Sequence, residues 1–208
     1  MNLSNFFDKI FLITCYHTKD RLCKTIPYLN SRGIYPDLFF SPLKERFHYM
    51  YYNEQAIWPG ASSLSCAYEQ LFQKCIFENV NTALFIEDDI LLADDWEDKI
   101  KSIWFNSNKE WYILKDGNAS QFFAMSKEAM IDFLNKYAAN GYPVDYAINN
   151  IQDTKVTNKT NIRIQPGVIS GQLSNGWNAL KNEMFSDKQK IPSGIEIRKD
   201  LRHKHVFS

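Results

Sequence analysis

Two hydrophobic periods alternate along this chain. Residues 9–14 (KIFLIT), apolar from Ile10 to Ile13, read as a buried strand, and the uninterrupted apolar run 83–86 (ALFI) as a strand buried on both faces. Elsewhere apolar positions fall at helical spacing. Leu22, Ile26 and Leu29 mark one face of a helix over residues 18–31, with Gly33 beyond it as a stop. Leu64, Tyr68, Leu71, Phe72 and Cys75 mark another over residues 61–78. A second strand, DLFFS, follows Pro36, so the chain opens as strand, helix, strand with connections of βαβ length. Segment 42–59 has many aromatics and no period. It reads as a long irregular loop whose tyrosines either pack or form a lid.

The second half continues with a helix over 95–106, a strand at 111–114 and a turn at 115–118. A strand at 121–125 leads to Ser126, which suits the N-cap of a helix over 127–137. A short helix over 145–151, a strand at 161–165 and a helix near 177–184 complete the reading. The order is βαβ, αβ, α, ββ, αα, β. This is an α/β fold with a Rossmann-like mixed sheet flanked by helices.

The second apolar run ends in Glu87, Asp88 and Asp89. Three adjacent carboxylates cannot remain in a dry core. They emerge where the strand meets solvent, and in open α/β sheets that carboxyl rim is where ligands bind. Carboxylates crowded there repel one another unless a cation neutralises them. A phosphate or diphosphate ligand bridged by a divalent metal is the simplest user of such a site. The plainer reading, acids that solvate a turn, also stands. For Asp94 and Asp95, ahead of a helix, we take the plainer reading.

At 208 residues, 45% hydrophobic and 15% aromatic, the chain fits one globular domain, residues 1–208. Lys plus Arg number 24 and Asp plus Glu number 24, so no overall charge favours nucleic acid. No run is apolar enough to span a bilayer, and the start lacks a basic n-region and a cleavage site. Cys15, Cys23, Cys66 and Cys75 show no CxxC spacing, which reads as free thiols in a reducing, cytoplasmic setting.

The segments KIFLITCYHTKDR, GASSLSCAYEQLFQKCI, ALFIEDDILL and FFAMSKEAMIDFL with PVDYAI occur in this order. Together they resemble glycosyltransferase family 25, the lipooligosaccharide and collagen galactosyltransferases, over residues 9 to about 165. The family's Gly-Cys and Ser-His pairs fall here on Ser63–Leu64 and Ala67–Tyr68. The resemblance implies a single GT-A domain, with residues 1–95 as its nucleotide-binding half and 96–208 as its acceptor-side half and tail. It implies a metal-dependent, inverting transfer of a hexose from a UDP-linked donor to a hydroxyl of a glycan or glycoconjugate. The ion would be Mn²⁺ or Mg²⁺, which hard carboxylate oxygens suit.

By the same resemblance Asp89 is the direct metal ligand, Glu87 meets the ribose or a metal-bound water, and Asp88 lies near the ribose. The fold often adds a C-terminal histidine, for which His203 and His205 qualify; the other reading is a solvated tail. Thr14, Tyr16 and Arg21 follow the first strand at the same rim and are candidates for holding base and ribose, although Arg21 also suits an ordinary exposed helix position. Inversion needs a base for the acceptor hydroxyl. Asp145, after Pro143 and Val144, is the first candidate, with a plain N-cap as its alternative. Asp116 is the second. Two other classes remain open at this point: a nucleotidyl- or phosphotransferase, and a non-catalytic nucleotide- or carbohydrate-binding module.

Overall fold

The two apolar runs lie side by side at the centre of a six-stranded sheet. The computed structural model describes residues 3–16, 19–42, 50–52, 55–57, 59–106, 111–116, 121–137, 144–153 and 160–164. In chain order the elements are β1 (Lys9–Cys15), α1 (Lys19–Ser31), β2 (Asp37–Ser41), β3 (Met50–Tyr52), β4 (Gln55–Ile57), α2 (Pro59–Phe77) and β5 (Thr82–Glu87). Then come α3 (Trp96–Asn106), β6 (Trp111–Asp116), β7 (Phe122–Ser126), α4 (Lys127–Lys136), α5 (Val144–Asp153) and β8 (Thr160–Ile164). The architecture is the expected α/β arrangement of a mixed sheet flanked by helices.

The sheet order is β2-β1-β5-β7-β6-β8. β2, β1 and β5 are parallel, β7 runs against both its neighbours, and β8 is parallel to β6. The carboxyl ends of β1, β2, β5, β6 and β8 therefore share one rim with the start of β7. Strand alternation sends Phe11, Ile13, Phe85 and Phe123 to a core shared with α2, α4 and α5. It sends Leu12, Leu84, Ile86 and Ala124 to the opposite core, which includes Leu29 of α1 and Trp96 and Ile100 of α3. Both faces are dry, and that is why these strands read as continuous apolar runs. Each fully buried Phe or Leu contributes about 1.5–3 kcal/mol.

Helix ends follow the local chemistry. Gly33, at φ 72°, closes α1: its N–H bonds the carbonyl of Asn30, and that of Ile34 bonds the carbonyl of Leu29. These are the two bonds of a Schellman ending, and Leu29 and Ile34 pack in one core. Asn79, at φ 57°, closes α2 in the same way through Ile76 and Cys75. The Ser126 hydroxyl caps α4 by accepting from the Ala129 N–H at 3.3 Å. α2 starts at Pro59, two residues before the expected start, because proline suits the first helical position.

Two readings need correction. Segment 42–59 is not wholly irregular: Met50–Tyr52 and Gln55–Ile57 form an antiparallel pair, too short for its alternation to register. β6 reaches Asp116 rather than 114, and its register against β8 slips by one between Trp111 and Leu114. Tyr112 and Ile113 consequently face the same core, which breaks the period-two pattern. The helix expected at 177–184 lies outside the described residues. No helix among the described residues is long and apolar enough to cross a membrane.

Candidate functional site

The topology reverses between β1 and β5. From β1 the chain crosses by α1 on one face to β2; it returns by α2 on the other face to β5. The carboxyl ends of β1 and β5 thus lie at a topological switch point, the place where ligands bind in open α/β sheets. Thr14, Tyr16, Glu87, Asp88 and Asp89 all sit at this point.

Glu87 and Asp88 turn to opposite faces of the sheet. Glu87 follows strand alternation to the α2 face, where the Tyr68 hydroxyl donates to its Oε1 at 3.4 Å. Asp88 turns to the α1 face and is buried. Its Oδ2 accepts from the Thr14 hydroxyl at 2.6 Å and its Oδ1 from Arg21 Nη1 at 3.0 Å. Its backbone carbonyl accepts from the Thr25 hydroxyl at 2.7 Å. Asp89 is half-buried, and its Oδ1 accepts from Gln121 Nε2 at 3.3 Å. The Glu87 N–H donates to the Gln121 carbonyl at 3.0 Å, which fixes the start of β7 against the acidic turn.

One side of α1 holds the whole turn. Arg21, Thr25, Tyr28 and Arg32 recur at helical spacing, so they form a single stripe. Arg21 and Thr25 take Asp88. The Tyr28 hydroxyl donates to the Leu92 carbonyl at 3.3 Å and accepts from the Leu92 N–H at 2.7 Å. Burial pushes the Tyr28 phenol above its ordinary range, so it keeps its proton. Arg32 lies over the Tyr28 ring at 5.0 Å, donates to the Ala93 carbonyl at 3.3 Å and pairs with Asp94 at 3.4 Å. Asp95 pairs with Lys99 at 2.8 Å, and that contact lowers its pKa. Asp94 and Asp95 are therefore the solvated helix-start acids expected of them.

This geometry revises the argument from crowding. Arg21 already neutralises Asp88, so mutual repulsion does not demand a cation for all three acids. Among the described residues no three His, Cys, Asp or Glu side chains converge to hold a metal. The donor chemistry of Glu87 and Asp89 still fits a hard divalent ion. Two carboxylates plus diphosphate oxygens and water make a normal shell for Mg²⁺ or Mn²⁺. His203 and His205 lie outside the described residues.

Tyr16 stands exposed at the end of β1. Arg21 is a partner of Asp88 and not an ordinary exposed helix residue. Asp116 ends β6 and is buried beside the equally buried Lys115. Asp145 lies in the first turn of α5, whose Val144 N–H donates to Ser65 Oγ of α2 at 3.1 Å. Asp145 Oδ1 is buried with no hydrogen-bond partner among the described residues. Thr25, Tyr28, Tyr68 and Gln121 were missed in the sequence. Tyr68 had a signal, since the resemblance to family 25 aligns it with a His; the others had none.

No family model matches the chain, and no curated protein matches it. Among solved structures it is similar to the crystal structure of a glycosyltransferase involved in the glycosylation of the major capsid of PBCV-1. That similarity has a TM-score of 0.41 at 11% identity and covers 76% of this chain and 81% of that chain.

Proposed function

We propose that this chain is a glycosyltransferase that moves a hexose from a UDP-linked donor to a hydroxyl of a glycan or glycoconjugate, with a divalent cation and with inversion. The observation that carries the reading is the placement of Glu87 and Asp89. They stand at the carboxyl end of β5, at the point of topological reversal, with the acid between them already paired. In open α/β sheets that is where ligands bind, and the two carboxylates there would suit a divalent ion. The motif resemblance to family 25 points the same way.

Bound there, Mn²⁺ or Mg²⁺ would offset the charge that develops on the leaving diphosphate. Glu87 and Asp89 would hold it. Tyr16, exposed on the same rim, offers a ring to the nucleotide base. Asp145 is assigned as the base that takes the acceptor's proton, and the lack of a hydrogen-bond partner on its Oδ1 among the described residues suits that task. Asp116 remains the second candidate.

A thermal-shift screen of UDP-hexoses with and without Mn²⁺ tests the proposal. Ligand at 100 times Kd stabilises by about 2.7 kcal/mol, which raises Tm by roughly 5–11 °C for a domain of this size. The expected result is a Mn²⁺-dependent shift together with release of UDP. Release of pyrophosphate would move the chain to the nucleotidyltransferases, and no shift with any nucleotide sugar would overturn the reading.

A further inference from the structure

We infer that Gln121 is a positioning residue for Asp89. This rests on the reading of Asp89 as a metal ligand. Gln121 directly precedes β7 and touches the acidic turn twice. Its backbone carbonyl accepts from the Glu87 N–H at 3.0 Å, and its side-chain Nε2 donates to Asp89 Oδ1 at 3.3 Å. The two acids assigned to the cation are therefore both tied to one residue, which leads into the antiparallel strand beside β5.

The orientation of the amide is fixed by chemistry. A carboxylate only accepts, so the amide must present its N–H₂ to Asp89 and turn its oxygen away. That oxygen, Oε1, is buried and has no hydrogen-bond partner among the described residues. A buried acceptor without a donor is a local cost that the fold alone does not explain. Water bound to a cation on Asp89 is a donor of the right kind. The amide orients Asp89 from one end, and with a cation bound its oxygen would be free to accept from the cation's water. Hydrogen bonds of this type orient metal ligands and tune affinity by roughly 10- to 100-fold.

The test compares wild type, Gln121→Ala and Gln121→Met by titrating MnCl₂ in the presence of UDP and following the electron paramagnetic resonance signal of free Mn²⁺. Methionine keeps the side chain's length and removes the amide. Melting of each metal-free protein is measured alongside. Wild type is expected to bind, and both variants to bind roughly 10- to 100-fold more weakly with little change in metal-free Tm. Equal affinity in all three proteins would overturn the inference. Recovery of affinity in Gln121→Met alone would also overturn it, because packing and not hydrogen bonding would then be the cause. If wild type with UDP takes up no Mn²⁺, the metal reading of Asp89 falls, and the role of Gln121 falls with it.

Discussion

Replacing Asp88 by alanine should unfold the protein more readily without acting through a ligand. The carboxylate side chain is 8% exposed and its Arg21 partner 18%, so the pair is largely shielded from water. Removing the acid takes the ion pair from the guanidinium and the 2.6 Å hydrogen bond from the Thr14 hydroxyl. Breaking a buried ion pair from one side costs about 3–5 kcal/mol. For a domain of this size each kcal/mol lowers Tm by about 2–4 °C, so a fall of roughly 6–20 °C is expected. Urea denaturation followed by circular dichroism supplies the matching free energy, with an unchanged slope if only the native state is affected. Asp88→Asn should cost less, because an amide oxygen still accepts from one donor while its N–H₂ opposes the other. Glu87→Ala and Asp89→Ala are the controls, each expected to stay within about 1 kcal/mol. An Asp88→Ala loss no larger than those controls would refute the division of the acidic turn into one structural and two presented carboxylates.

Further outcomes follow from the same geometry. Asp89→Ala should abolish Mn²⁺-dependent UDP binding in calorimetric titration while the far-ultraviolet spectrum is retained. Asp145→Asn should lower kcat by roughly 100-fold or more with donor affinity unchanged, and equal losses in both would remove it as the base. Burial raises the Cys66 and Cys75 thiols to about 11 and about 12. The folded state thus holds protons that the unfolded chain releases above about pH 8.5. Their stabilising contribution is full below that pH and lost as pH rises through the folded values, so urea midpoints should fall on that limb and fall less in a Cys66→Ala/Cys75→Ala variant. Ser126→Ala should cost about 1 kcal/mol by urea denaturation, from the lost cap on the Ala129 N–H.

The sheet was legible because its central strands are dry on both faces, and the helices were legible because each turns one apolar stripe inward. Gly33 and Ser126 announced their helix boundaries through residue chemistry alone. The β3–β4 pair gave too few residues to show a period, and the slip in β6 put two neighbours on one face. In the site, the acids were visible as a string but their directions were not. Alternation at the end of β5 sends Glu87 and Asp88 to opposite faces, and only the packing of α1 reveals Arg21 as the counter-ion. Gln121 could not be found from the string at all, since its relation to Asp89 exists only through the pairing of β5 with β7.

The stripe on α1 binds the fate of two distant stretches of chain. Residues 21, 25, 28 and 32 grip residues 88–94 across more than sixty positions of sequence. Neither partner is at liberty to drift alone. A lineage that altered the acidic segment would have to re-tailor the first helix in step, and a chimera that grafted only one of the two would inherit an ill-fitting joint. Swapping both segments together should restore what swapping either one destroys.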